Sequence, residues 1–218
     1  MHTTPDSDPL QNFTALWQAG SLTEAVVELC EFLEQSPSDS AAWKLLGQIR
    51  FAQQDFTQAA QAFETADHHA TAPDLDTLLN WGAALASSGD LRKALLPFEN
   101  ATRIAPDSVQ AHLYLGQAHY ALGQWPEAIN PFTTTLKLAP DQADIYLMLS
   151  SCYSNLRKHA EAEDCLHTLI SFHASLSEAW LALGNAQLTQ KNPIEALNSY
   201  RQAATLAPDD FRQHHATA

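Results

Sequence analysis

Ten histidines, three cysteines and 25 carboxylates are the side chains with which this chain could hold a metal, attack a carbonyl or move a proton. Their spacing decides whether they do. His112 and His119 lie seven residues apart, about 10.5 Å along a helix axis, too far to share one ion unaided. The pairs His68-His69 and His214-His215 are adjacent, so on a helix each pair points to different faces. No HExxH, calcium loop, phosphate loop or GxSxG occurs, and each of those chemistries needs its own fixed spacing. Cys30, Cys152 and Cys165 are odd in number and form no CxxC. They read as small apolar side chains in a reduced compartment. The carboxylates are spread over turns and helix faces that read as solvated exterior. No nucleophile–base pair is forced together, and no catalytic residue, metal site or cofactor is expected. The chain reads as a non-enzyme.

The elements carrying these residues recur. Ala25, Ala59, Ala94, Ala128, Ala162 and Ala196 follow one another at steps of 34, 35, 34, 34 and 34. Twelve residues before them stand Phe13, Gly47, Gly82, Gly116, Ser150 and Gly184. Four residues after them stand Leu29, Phe63, Phe98, Phe132, Leu166 and Tyr200. Pro37, Pro106, Pro140 and Pro208 close four of the six units. The gap between small residue and Ala is one helix plus one turn, so each unit is an antiparallel helix pair, A then B. Small residues let the two backbones cross closely. The bulky residue one turn after the Ala is expected on the same face, packed toward the next unit.

The turns carry helix-start chemistry. Ser21-Leu22-Thr23-Glu24 spells a capping box, Asp55 and Asp90 suit N-caps, and Pro126 and Pro193 suit a first helical turn. Pro97 and Pro131 fall inside helices B and are expected to bend them. One extra residue lies in the loop Ala66 to Asp74. His112 and His119 stand at places expected to pack in the core.

This pattern resembles the tetratricopeptide repeat, in which a 34-residue unit reads W-x2-L-G-x2-Y, then Ala, Phe and Pro. Trp43 and Trp180 hold the Trp place, and Leu46, Leu115, Leu149 and Leu183 the Leu place. The resemblance implies an all-α fold, a right-handed superhelix of antiparallel helix pairs, with helices A lining a concave groove. The solenoid is expected over 6–208, with repeats at about 6–39, 40–74, 75–108, 109–142, 143–176 and 177–208. Residues 1–5 read as a flexible lead-in. Residues 209–218 repeat the opening of a unit, as a partial cap helix or the start of a seventh repeat. Phe13 without a Trp marks unit one as a terminal cap.

Carried over place by place, the groove-facing residues are Lys44, Gln48 and Phe51 in unit two and Asn80 in unit three. Gln110, Leu113, Gln117 and Tyr120 follow in unit four, then Leu147, Ser151 and Asn155, and finally Asn185 and Leu188. The surface is neutral polar and apolar, with Lys44 its one positive charge. Its amides suit a peptide backbone and its aromatics suit apolar anchors. Some relatives grip a partner's terminal carboxylate with two Lys, one Arg and two Asn. Here Lys44, Gln48 and Asn80 match in part, but Gln110 and Tyr114 stand where further cations are needed. Glycosyltransferase relatives carry an Asn ladder, whose row here reads Gln11, Leu45, Asn80, Tyr114, Met148 and Ala182.

Composition bounds the partners. Eleven basic and 25 acidic side chains leave a net charge of −14, which excludes nucleic acid and anionic membrane surfaces as natural partners. No 18-residue apolar run and no basic-then-apolar leader occurs. The expectation is a cytoplasmic interaction scaffold that binds a protein or peptide in its groove. Weak self-association through the C-terminal end is also expected to be possible. The alternative is the N-terminal recognition arm of a longer transferase or hydroxylase.

Overall fold

A computed structural model of the chain describes residues 9–207. The readings for residues 1–5 and 209–218 lie outside the described residues. Among the described residues there are twelve α-helices and no strand. The first of each pair are α1 (Pro9–Gln18), α3 (Ser40–Ala52), α5 (Leu75–Ser87), α7 (Val109–Ala121), α9 (Ala143–Asn155) and α11 (Ser177–Thr189). The second are α2 (Leu22–Gln35), α4 (Phe56–His69), α6 (Leu91–Ile104), α8 (Trp125–Leu138), α10 (His159–Phe172) and α12 (Pro193–Leu206). The chain divides into two compact units, Met1–Tyr114 and Leu115–Ala218.

The crossing inside each pair differs from its expected form. All six ruler alanines are 0% or 1% exposed, as close backbones require. The bulky residue four places on, however, packs on the glycine of its own pair. A Cβ added at Gly47 would lie 2.8 Å from the Phe63 ring; at Gly116, 2.6 Å from Phe132; at Gly184, 2.5 Å from Tyr200. Gly82 is tighter still against Phe98. The glycine is therefore a seat for a ring, because helix B projects that side chain inward across helix A. Where the small residue is Ser150 or the bulky Phe13, the partner place holds Leu166 or Leu29, and all four are buried. More volume on one helix meets less on the other.

Each A helix ends in the same turn. Gly20, Gln54, Gly89, Gly123, Arg157 and Lys191 all have φ between 57° and 89°. In every turn that residue's N–H and the next one's both return to the helix, as in Asp55 N to Arg50 O at 3.0 Å and Gln54 N to Phe51 O at 2.9 Å. Two otherwise orphaned carbonyls are satisfied this way in a Schellman motif.

The starts of the B helices depart from the reading above in two places. The Ser21 side chain makes no capping bond, so the capping box does not close. Asp90 makes none either; its carboxylate lies 2.7 Å from Lys93 Nζ. Asp55 accepts from Gln58 N as expected, and Pro126 and Pro193 occupy first turns. Pro97 and Pro131 are buried inside helices that continue through them for 14 residues each. The extra residue widens the loop between α4 and α5 to 70–74, against four residues in the other links of this kind.

Candidate functional site

The residues foreseen for a groove all sit on A helices, and none of the thirteen is buried. In the first unit, Lys44, Gln48 and Phe51 lie on α3, Asn80 on α5, and Gln110 and Leu113 on α7. In the second, Gln117 and Tyr120 lie on α7, Leu147, Ser151 and Asn155 on α9, and Asn185 and Leu188 on α11.

Lys44 is not the free cation that the sequence suggested. Its Nζ lies 2.5 Å from Asp74 Oδ2 and 3.9 Å from Asp76 Oδ2. Asp74 is also the N-cap of α5, accepting from both the N–H and the hydroxyl of Thr77. Burial pushes the Asp74 carboxyl up, and the bonds from Lys44 and Thr77 outweigh it and hold the group below its usual range. The pair joins α3 to the start of α5, so Lys44 is committed to holding successive helix pairs together. No sequence signal separates this from an open groove cation, since Asp74 lies 30 residues away.

The structure does bring some foreseen residues together. Tyr120 OH donates to Ser151 Oγ at 3.1 Å, linking α7 to α9. Asn155 Nδ2 donates to Ser151 O at 2.8 Å within α9. The Tyr120 ring packs edge-on against Trp125, centroids 5.1 Å apart. Phe51 packs likewise on Phe56 at 5.1 Å. Gln110 Nε2 donates to Tyr114 OH at 2.9 Å, and Asn185 Oδ1 accepts from Tyr200 OH at 2.8 Å. Leu188 is 53% exposed and Leu181, about two turns earlier on α11, is 39% exposed. The second unit thus exposes two leucines of α11, while Leu147 on α9 is partly buried and packs against the core.

His112 does not pack as a core side chain. Its Nε2 lies 2.9 Å from Pro106 O, and because a carbonyl only accepts, that nitrogen carries the proton. Trp43 Nε1 donates to Pro37 O and Trp180 Nε1 to Ala174 O, each at 2.9 Å. All three therefore pin helix A to the closing segment of the preceding unit, six residues back. His119 Nδ1 meets Gln124 Oε1 at 2.8 Å. His68 and His69 face each other edge-on, and no group of three or more His, Cys, Asp or Glu is gathered for a metal among the described residues. Burial pushes both the Cys152 and the Cys165 thiol up to about 11, which leaves them protonated and poor nucleophiles near neutrality.

One polar cluster escaped sequence reading. Glu163 on α10 accepts from Gln187 on α11 and from Gln190, the C-cap of that helix, at 3.2 and 2.8 Å. Gln187 in turn accepts from Ser199 on α12 at 2.8 Å. Burial raises the Glu163 carboxyl, but the bonds from Gln190 and Gln187 and the nearby His167 hold it below its usual range. Gln187 sits at the repeat's Tyr place, so the departure was visible; its partner on another helix was not.

Stacked antiparallel pairs with a small-residue seat and a repeating closing turn define a tetratricopeptide repeat solenoid. The chain belongs to the tetratricopeptide repeat family, and the profile described as cytochrome c-type biogenesis protein H TPR domain matches residues 21–146. Further tetratricopeptide repeat profiles match 143–172 and 177–210. No curated protein matches the sequence. Among solved structures, one of MamA superposes with a TM-score of 0.73 at 20% identity, covering 81% of this chain and 96% of that one. A second MamA structure gives 0.69 at 21% identity, covering 77% and 97%. YrrB, described as a TPR protein with an unusual peptide-binding site, gives 0.72 at 16%, covering 87% and 97%. At such identities the likeness speaks for the fold.

Proposed function

We propose that this chain is a non-catalytic interaction scaffold that holds a segment of a partner polypeptide against its A helices. The observation that carries the reading is the surface of α9 and α11 in the second unit. Leu147, Met148, Leu181 and Leu188 stay partly or well exposed there, beside Ser151, Asn155 and Asn185. Exposed leucines next to amides suit a segment that buries apolar side chains while its backbone is hydrogen-bonded. With Lys44 already paired to Asp74, a clamp for a terminal carboxylate at that place has lost its first cation. Apolar anchoring is therefore the better supported mode. YrrB, which shares the fold, is described by its peptide-binding site. The match to a cytochrome c-type biogenesis protein domain makes that process the first place to seek the partner.

The test is a paired capture experiment. Leu181→Asp with Leu188→Asp places two charges on the proposed surface without touching the buried core. Asp164→Lys on the exposed side of α10 is the control. Partners cross-linked by wild type and control but lost by the double variant support the reading. An unchanged set of partners, with the helical spectrum intact, ends it.

A further inference from the structure

Arg50 on α3 occupies the place that holds Leu16, Leu85, His119, Tyr153 and Gln187 in the other pairs. It lines an open pocket of about 230 Å³ between α3 and α4, with Trp43, Leu46, Gln58, Gln61 and Thr65. Its Nε is buried with no hydrogen-bond partner. Its one polar contact is a weak 3.4 Å bond from Nη1 to Gln53 Oε1. Residues 1–114 carry fifteen acidic and five basic side chains. Even so, no carboxylate among the described residues comes within ion-pair distance of Arg50.

The other unit shows what is missing. There Gln187, at the same place as Arg50, bonds to Glu163 of the preceding B helix. The residue matching Glu163 before Arg50 is Val26, which is 7% exposed and part of the core. By repeat register, a guanidinium whose Nε is buried and unpaired thus has an apolar residue at the place where the other unit has a carboxylate, in the more acidic half of the sequence. Such a group keeps a full set of directed donors and strongly favours an anionic acceptor.

We propose that this pocket is a carboxylate-binding site, separate from the A-helix surface described above. Arg50 supplies the charge-assisted donor, Gln58 and Gln61 supply amide donors at the rim, and the Trp43 indole forms an apolar wall. The ligand it fits is a carboxylate on a short aliphatic stem, either a glutamate side chain of a partner or a free dicarboxylic acid.

The indole N–H resonance of Trp43 reports on the pocket, assigned by its loss in Trp43→Phe. The probes are the blocked peptide Gly-Glu-Gly, its Gly-Gln-Gly isostere, and sodium glutarate, all at constant ionic strength. Saturable shifts with the Glu peptide, absent with the Gln peptide and weakened at least tenfold in Arg50→Gln, are expected. Glutarate acting at the same concentration as the peptide identifies the free acid as a sufficient ligand; peptide alone identifies a protein side chain. Shifts that persist in Arg50→Gln, or that the Gln peptide reproduces, overturn the proposal, as does the absence of any shift. Arg50→Leu gives a second readout in unliganded protein. Loss of an unpaired charge should raise the melting temperature, and a clear drop would mean that Arg50 already has its anion.

Discussion

Helix pairs three and five make the same crossing with different side chains. In pair three Gly82 receives the ring of Phe98, which is 3% exposed. In pair five the matching residues are Ser150 and Leu166, 5% and 1% exposed. Serine adds a Cβ and a hydroxyl, and that hydroxyl is satisfied locally by Leu147 O at 2.9 Å. Leucine in turn lacks the ring that would have needed the space. What the two pairs share is the summed volume at the crossing, a close-packing requirement that either residue set fulfils.

The most severe break of this comparison is Gly116→Leu. The side chain would have to enter the space of the Phe132 ring, and the loss should exceed about 3 kcal/mol. An unchanged thermal melt would contradict the ring-on-glycine crossing. A sharper version exchanges the two solutions. Gly82→Ser alone should lose about 1–3 kcal/mol by overpacking, and adding Phe98→Leu should recover a good part of it. The reverse swap runs Leu166→Phe, destabilising, followed by Ser150→Gly, restoring. Additive free energies in denaturant titrations, with no coupling between partners, would show that the two side chains do not share one space.

Next in size is the joint between pairs five and six. The Glu163 carboxyl is held below its usual range in the folded chain, so the unfolded chain binds its proton more readily as pH falls. Its contribution is then complete above the ordinary glutamate range and is lost as pH drops through the folded value. Wild type should lose stability between neutral pH and about pH 3 more steeply than Glu163→Gln does. Parallel curves would mean that Gln187 and Gln190 do not discriminate the charged form.

The smallest effect concerns the turns. Gln54, Arg157 and Lys191 hold left-handed conformations that Gly20, Gly89 and Gly123 adopt in the sister turns. Replacing any of the three by Gly should stabilise by up to about 1 kcal/mol, since a side chain is strained there. A loss of the same size would show that those side chains contribute more by contact than they cost in backbone strain.

The repeat was legible because its signal is local. Ala, Gly and Pro at fixed offsets mark helix, crossing and stop within one unit, and the twelve helices follow that spacing. The partnerships between units were not legible. Lys44 reads as an open cation until Asp74, in the next pair, is seen beside it. His112 reads as core until its nitrogen is found on a carbonyl in the manner of Trp43 and Trp180. The Ser21 capping box is spelled correctly and does not close, whereas Asp55 after an identical turn does cap its helix; spelling alone does not separate the two.

By itself, then, the order of residues determined that this chain forms paired helices and where each pair turns, because those choices depend on neighbours within a few bonds or one helical turn. Only the tertiary structure decided which side chains are spent on joining pairs and which are left over for others. A charge such as Lys44 and a charge such as Arg50 look alike in one dimension. What separates them is whether an opposite charge is folded to within a few ångströms, and that is a property of the packed pairs.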